Sequence, residues 1–165
     1  MLAKNIGIGL FALASILLAG CATSGTHFTA APAPAAGKAL IYVYRPWHFV
    51  AGAAYDKIFI NANFLADLKN GTYISCEAPA GPVTFAAIPR TAWQPVMIEF
   101  VVWVNLQTKK YERLKTEVEA GKTYYVRWHF NGIDVKMELI DEATALNEIS
   151  DLKPAEITPL NEAAK

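Results

Sequence analysis

The chain has 165 residues, 15 basic against 15 acidic side chains, three histidines and two cysteines, with 53% hydrophobic residues. That is enough for one domain with a sizeable core. The absence of a basic excess argues against a nucleic-acid partner, and the scattered Lys and Arg form no polybasic membrane patch.

Met1 to Gly20 reads as the signal peptide of an exported protein. Lys4 is its single charge, and an apolar run extends from Ile6 to Leu18, interrupted only by Gly7, Gly9 and Ser15. A bilayer-spanning helix needs about 20 apolar residues, so this shorter run suits a cleaved signal better than a permanent span. It closes on Leu17-Leu18-Ala19-Gly20-Cys21, a lipobox: small residues precede the cut, and the cysteine becomes the new first residue. The expected chemistry is transfer of a diacylglycerol to the Cys21 thiol, cleavage between Gly20 and Cys21, and acylation of the freed amine, for instance with palmitate. Two or three acyl chains make a stable anchor where one does not. Ala22, in place of an Asp, fits sorting to an outer membrane, with the domain facing the periplasm. Lipidation of Cys21 leaves Cys76 with no partner in the chain, and its setting in Thr72-Tyr73-Ile74-Ser75-Cys76-Glu77 is that of a small buried residue.

Residues 21–37 read as the lipidated cysteine and a flexible tether rich in Ala, Pro and Thr. From Ala22 to Gly37 the chain carries no Asp, Glu, Lys or Arg. At about 3.1 Å per residue in polyproline geometry this stretch could hold a domain up to ~50 Å from the membrane.

Residues 38–152 read as an all-β domain, a small antiparallel sandwich of about 8 strands with one short C-terminal helix. Lys38–Arg45 is the first strand, ended by Pro46, and Tyr55–Asn61 the second, with Ile58 and Ile60 on one face and Lys57 and Phe59 on the other. Phe64–Leu68 and Thr72–Ala78 follow, separated by Lys69-Asn70-Gly71, and Val83–Ile88 comes after Pro79-Ala80-Gly81-Pro82. Val96–Val104 is apolar except for Glu99, which predicts a strand covered on both faces. Tyr111–Val118 is another strand. Thr123–Phe130, Asn131-Gly132 and Ile133–Ile140 predict a hairpin with a two-residue type I′ turn. That register would pair Phe130 with Ile133, Trp128 with Val135 and Val126 with Met137 on the apolar face. On the polar face it would set His129 against Asp134, Tyr125 against Glu138, and Arg127 against Lys136, which would repel unless Glu138 or Asp134 bridges diagonally. Asp141–Leu152 predicts the helix, capped by Asp141, with Leu146, Ile149 and Leu152 as its apolar stripe and Pro154 beyond its end. Residues 153–165 read as a tail.

Taken in order, Ala39-Leu40-Ile41-Tyr42-Val43-Tyr44-Arg45-Pro46, Ile58-Phe59-Ile60-Asn61 with Leu65 and Leu68, Asn70-Gly71-Thr72-Tyr73, Pro79-Ala80-Gly81 and Gly121-Lys122-Thr123-Tyr124-Tyr125-Val126-Arg127-Trp128 resemble the bacterial lipoprotein family known as domain of unknown function 2846. The resemblance covers roughly Lys38 to Leu152 and departs at Asn61-Ala62, where such hairpins often carry Asn-Gly. It implies a PEGA-like β-sandwich on an envelope lipoprotein and carries over no catalytic residue.

No catalytic or cofactor motif stands out. His27, His48 and His129 have no ligand spacing on one element, so no metal is expected. There is neither a Gly-x-Ser-x-Gly elbow nor a glycine-rich phosphate loop, and Glu99 with Glu138 is only one of many pairs of carboxylates that strands could bring together. The sharper candidate is a recognition surface on Arg45, Trp47, His48, Phe49, Arg90 and Trp93, residue types enriched at binding hot spots. The default alternative is that Trp47 and Trp93 close the ends of the sandwich. The expectation is therefore a non-enzymatic, membrane-anchored module binding an envelope protein or wall component without a cofactor. A small apolar-ligand carrier, or an enzyme with a dispersed site, is the alternative.

Overall fold

The computed structural model describes residues 27–49, 52–89 and 108–156. They form two stacked sheets. The chain runs through β1 (Lys38–Arg45), β2 (Asp56–Ile60), β3 (Asn63–Leu68), β4 (Thr72–Pro79), β5 (Gly81–Pro89), β6 (Glu112–Val118), β7 (Thr123–Phe130), β8 (Val135–Ile140), α1 (Glu142–Ile149) and β9 (Lys153–Pro154). One sheet has the order β8-β7-β1-β4-β9 and the other β3-β2-β5-β6. The all-β sandwich is as expected, with one correction: the first sheet is mixed, because β1 runs parallel to β7 and β4 parallel to β9. The segment predicted as a strand at Val96–Val104 lies outside the described residues.

Alternation along the strands explains the layers. In β1, Ala39, Ile41 and Val43 enter the core between the sheets, where they meet Ile58, Ile60, Phe85, Ala87, Val126 and Trp128. Leu40, Tyr42 and Tyr44 point the other way, to a second apolar layer shared with Tyr73, Tyr125, Ala145 and Ile149. A strand covered on both faces is buried along nearly its whole length, as β1 is. On the outer face of the second sheet Phe59, Ala86 and Ile88 pack with Phe64 and Tyr111, and the buried Lys57 bonds Asp67 at 2.8 Å. The change of sheet between β4 and β5 occurs at Gly81, whose φ of +124° is a conformation that side-chain-bearing residues rarely adopt.

The β7–β8 hairpin has a different register from the predicted one. Phe130 pairs with Val135, Trp128 with Met137 and Arg127 with Glu138, so the loop has four residues, Asn131 to Asp134. Asn131 closes it through its side-chain oxygen, which accepts from the backbone N–H groups of Ile133 (3.0 Å) and Asp134 (2.9 Å). The shift is two residues, so every side chain keeps its face and only the partners change. The predicted repulsion between Arg127 and Lys136 is replaced by an ion pair of Arg127 with Glu138 at 2.6 Å. Asp134, expected opposite His129, instead bonds Arg113 of β6 at 3.0 Å.

Asp141 caps α1, accepting from the Thr144 N–H at 2.9 Å. The buried stripe is Ala145 and Ile149, continued by Leu152, whereas the predicted Leu146 is 39% exposed. One ion pair and a hydrogen bond to Glu148 tie the helix to the sheet: Arg127, which also holds Glu138 of β8, pairs with Glu148 at 2.6 Å, and Tyr44 donates to Glu148 at 2.7 Å.

The segment before β1 is not a free spacer from His27 onward. Phe28 packs edge-on against Tyr42 and Tyr73, with ring centroids 5.3 and 5.2 Å apart. The N–H of Ala31 donates to the Tyr42 hydroxyl at 2.6 Å, and that of Ala35 to Glu77 at 2.9 Å. The tyrosine-rich outer face of the first sheet needs cover for its rings and partners for its hydroxyls; α1 covers one half and this segment the other. The predicted tail likewise begins inside the fold. Lys153–Pro154 forms β9, and Ala155 donates to the Tyr73 carbonyl at 2.7 Å.

Candidate functional site

Strand parity sends three polar or amphipathic side chains into one end of the core. Arg45 follows Val43 on the inner face of β1, Asp56 precedes Ile58 on the inner face of β2, and Trp128 follows Val126 on β7. Trp128 donates its indole N–H to Asp56 at 2.7 Å. The Arg45 guanidinium lies 4.1 Å from the centre of the Trp128 ring and donates to the Ala54 carbonyl at 2.7 Å. Burial pushes the Asp56 carboxyl above its ordinary range, against the Trp128 hydrogen bond and the charges of Arg45 and Arg113. Burial also lowers the Arg45 pKa, opposed by Asp56. The two opposite charges and the indole form a polar plug that ends the core.

Above this plug lies an open cleft of about 230 Å³, lined by Arg45, His48, Phe49, Trp128, Phe130 and Gly132. The loop after β1 supplies its rim. Asn70, in the β3–β4 turn, clamps that loop, accepting from the His48 N–H at 2.9 Å and donating to the His48 carbonyl at 2.8 Å. Trp47 lies over Gly71, where an added Cβ would come 3.4 Å from the indole. The aromatic rim faces solvent: Trp47 is 65% exposed and Phe49 87%, and Ile133 in the neighbouring hairpin loop is 92% exposed.

The structure thus brings together Trp47, His48 and Phe49 from the predicted recognition surface. It corrects two expectations. Arg45 is buried and forms the floor of the cleft instead of an exposed contact. Trp47 does not close the sandwich; the closing role falls to Trp128, which the sequence marks only as an apolar hairpin position. Arg90 and Trp93 lie outside the described residues, as do Gly20 and Cys21. Sequence reasoning misses Asp56, Asn70 and Phe130 as members of the site. The signal available for Asp56 is its place in register with Ile58 and Ile60, which makes a carboxylate inward-facing.

Chemically, the site offers an apolar rim over two buried groups of opposite charge, Arg45 and Asp56. Asp56 is turned into the core and bonded to Trp128, and Glu138 is held by Arg127, so neither is presented as a free acid or base. Among the described residues no group of three or more His, Cys, Asp or Glu side chains could hold a metal ion. Cys76 faces the core region beside Ile60 and Leu65, and burial pushes its thiol up to about 11.

A family model described as "Protein of unknown function (DUF2846)" matches residues 35–138, from the docked segment before β1 to Glu138 in β8. No curated protein matches the chain. Strands β1 to β7, most of β8 and the tyrosines of the outer layer fall within the matched residues, and the chain belongs to the DUF2846 family.

Proposed function

We propose that this chain is a lipid-anchored, non-catalytic module of the bacterial envelope. Its anchor is a diacylglycerol on Cys21, exposed by cleavage after Gly20, in an outer membrane with the sandwich in the periplasm. It acts by binding, with an envelope protein or a wall component as its partner and no cofactor. The observation that carries this reading is the lipobox at Leu17–Cys21, placed shortly ahead of a segment that is built into the sandwich from His27 onward. An export signal followed so closely by a docked segment suits a domain held near a membrane surface.

An apolar-ligand carrier has less support. The space between the sheets is filled by side chains such as Ile41, Val43, Phe85 and Val126, all of them fully buried. The end cleft, at about 230 Å³, falls below the range of roughly 300–1,000 Å³ usual for small-molecule sites, and a larger open cleft of about 550 Å³ is lined mainly by polar and charged residues such as Asn61, Thr84, Lys109, Glu112 and Lys115, not by an apolar wall. The decisive experiment is metabolic labelling with palmitate. The native chain should incorporate label and lose Met1 to Gly20, and Cys21→Ser should do neither; a labelled, shortened Cys21→Ser product overturns the reading. Crosslinking in intact envelopes then identifies the partner.

A further inference from the structure

Among the described residues, four of the six exposed large apolar side chains, Trp47, Phe49, Phe130 and Ile133, gather at one end of the fold, and the N-terminal segment leads to that same end. Phe49 and Phe130 line one cleft with Gly132, Ile133 follows Gly132, and Trp47 lies over Gly71, directly before β4. Trp47, Phe49 and Ile133 are each more than half exposed, a cluster that a freely solvated surface does not explain.

The segment before β1 runs back along the outer face of the first sheet. Ala35 bonds Glu77, Ala31 bonds Tyr42, and Phe28 packs on Tyr42 and Tyr73. Tyr73 lies opposite Tyr44, so the segment climbs toward the Arg45 end of β1 as it is followed backward. Tyr73 follows Gly71 by one intervening residue, about 7 Å along the strand. From Cys21 to His27 there are six peptide steps, a reach of about 20 Å when extended. A lipid on Cys21 can therefore lie level with Trp47, Phe49 and Ile133.

We propose that Trp47, Phe49 and Ile133 dip into the headgroup region of the same membrane that holds the Cys21 lipid, so that the sandwich stands end-on with its Arg45 end down. This rests on the lipid-anchor reading above. The Trp47 indole suits that region because its body is apolar and its N–H can stay wet, Phe49 and Ile133 can insert as apolar groups, and the lipid supplies the second attachment that fixes orientation. The opposite end, with the turns at Ala80 and at Ala120 to Lys122, then faces away from the membrane and is the end offered to a partner.

The test uses the lipid-bearing mature chain in vesicles of phosphatidylethanolamine and phosphatidylglycerol. In a Cys76→Ala background, an environment-sensitive fluorophore is attached through Phe49→Cys, through Ile133→Cys or, as the far-end control, through Ala80→Cys. All three positions are exposed, so the fold should tolerate the probe. The probes at 49 and 133 should shift to the blue and be quenched by nitroxide-bearing lipids, while the probe at 80 should be quenched only by aqueous iodide. Equal behaviour at all three positions overturns the proposal. So does a probe at 49 that stays wet in vesicles yet becomes shielded in native envelopes, which would assign the patch to a protein or wall partner. Failure of the anchor reading is distinguishable: the mature chain would then lack the mass of a diacylglycerol and would not float with the vesicles.

Discussion

Trp128 donates its indole N–H to the carboxylate of Asp56 at 2.7 Å, joining the two sheets at the end of the core that lies beneath the aromatic cleft. The partners are 72 residues apart in the chain and come from different sheets, so the bond closes the sandwich across its layers.

Trp128→Phe keeps an aromatic ring under Arg45 but removes the donor. Leaving a buried carboxylate short of one hydrogen bond costs about 1–3 kcal/mol. The sign of its pH dependence follows from Asp56. Burial holds the folded-state pKa above the ordinary 3.8, so the folded protein keeps this proton longer than the unfolded chain does, and the contribution to stability declines as pH rises through 3.8 toward the folded value. Without the indole that value rises further. Urea unfolding should therefore show a smaller deficit for Trp128→Phe near about pH 4 than near about pH 7; a deficit that grows on acidification would refute the assignment.

The β2–β3 turn is built on Asn61 and Ala62, with φ of +48° and +64°. Both are left-handed, the geometry of a type I′ turn without its usual glycine. An L-residue other than Gly or Asn in that region is strained by roughly 1–2 kcal/mol, so Ala62→Gly should raise stability by about 0.5–1 kcal/mol after the entropy of the unfolded glycine is counted. Asn61→Ala should act the other way, because the Asn61 side chain accepts from the Thr84 N–H at 2.9 Å; about 1 kcal/mol is expected. Thermal melts of the two variants check both signs.

Glu138 titrates below its ordinary 4.5, chiefly because Arg127 hydrogen-bonds it. A depressed carboxylate contributes stability above the unfolded value, and that contribution is lost as pH falls through the lower folded value. Its side chain is 43% exposed, so solvent screening keeps the effect small. Glu138→Gln should flatten the acid limb of the stability profile below about pH 4.5 and leave its slope near neutrality unchanged. An acid limb as steep as that of the native chain would argue against the pair.

Cys76 should behave as an inert thiol. With its pKa pushed up to about 11 by burial, the thiolate is scarce at neutral pH, and the folded protein should react slowly with iodoacetamide. Added denaturant should accelerate the reaction sharply, as the residue returns to an ordinary thiol. Rapid labelling of the folded chain is the contrary outcome.

Phe28→Ser probes the docked segment. It removes two edge-on aromatic contacts, each worth about 0.5–1.5 kcal/mol beyond its buried area. The expected result is loss of hydrogen-exchange protection at the Ala31 and Ala35 amides, with protection in β1 and β7 retained. Unaltered protection at those two amides would mean that Phe28 does not hold the segment down.

Most of the fold is legible from period-two alternation and turn residues. Alternation places β7 residue for residue at Thr123–Phe130, and β1 likewise at Lys38–Arg45. Asp141 announces its helix because a short acidic side chain ahead of Glu142-Ala143-Thr144 can reach a backbone N–H in the first turn. The candidate site is legible in its exposed half only. Trp47, His48 and Phe49 stand out as aromatic and polar residues in a loop, whereas Asp56 and Trp128 look like ordinary strand positions until the two sheets are superposed.

By itself the sequence determined the all-β class, the faces of the strands and the capped helix, because each depends on residues within a few positions of one another. The tertiary structure decided the rest. The hairpin register moved by two residues, a shift that alternation cannot detect because it leaves every face unchanged, and it was set by the Asn131 loop bonds and the pairing of Arg127 with Glu138. The parallel neighbours β1 and β7, the burial of Arg45, and the docking of an Ala- and Pro-rich segment on Tyr42 and Tyr73 likewise depend on partners far away in the chain. Local composition carries no record of them.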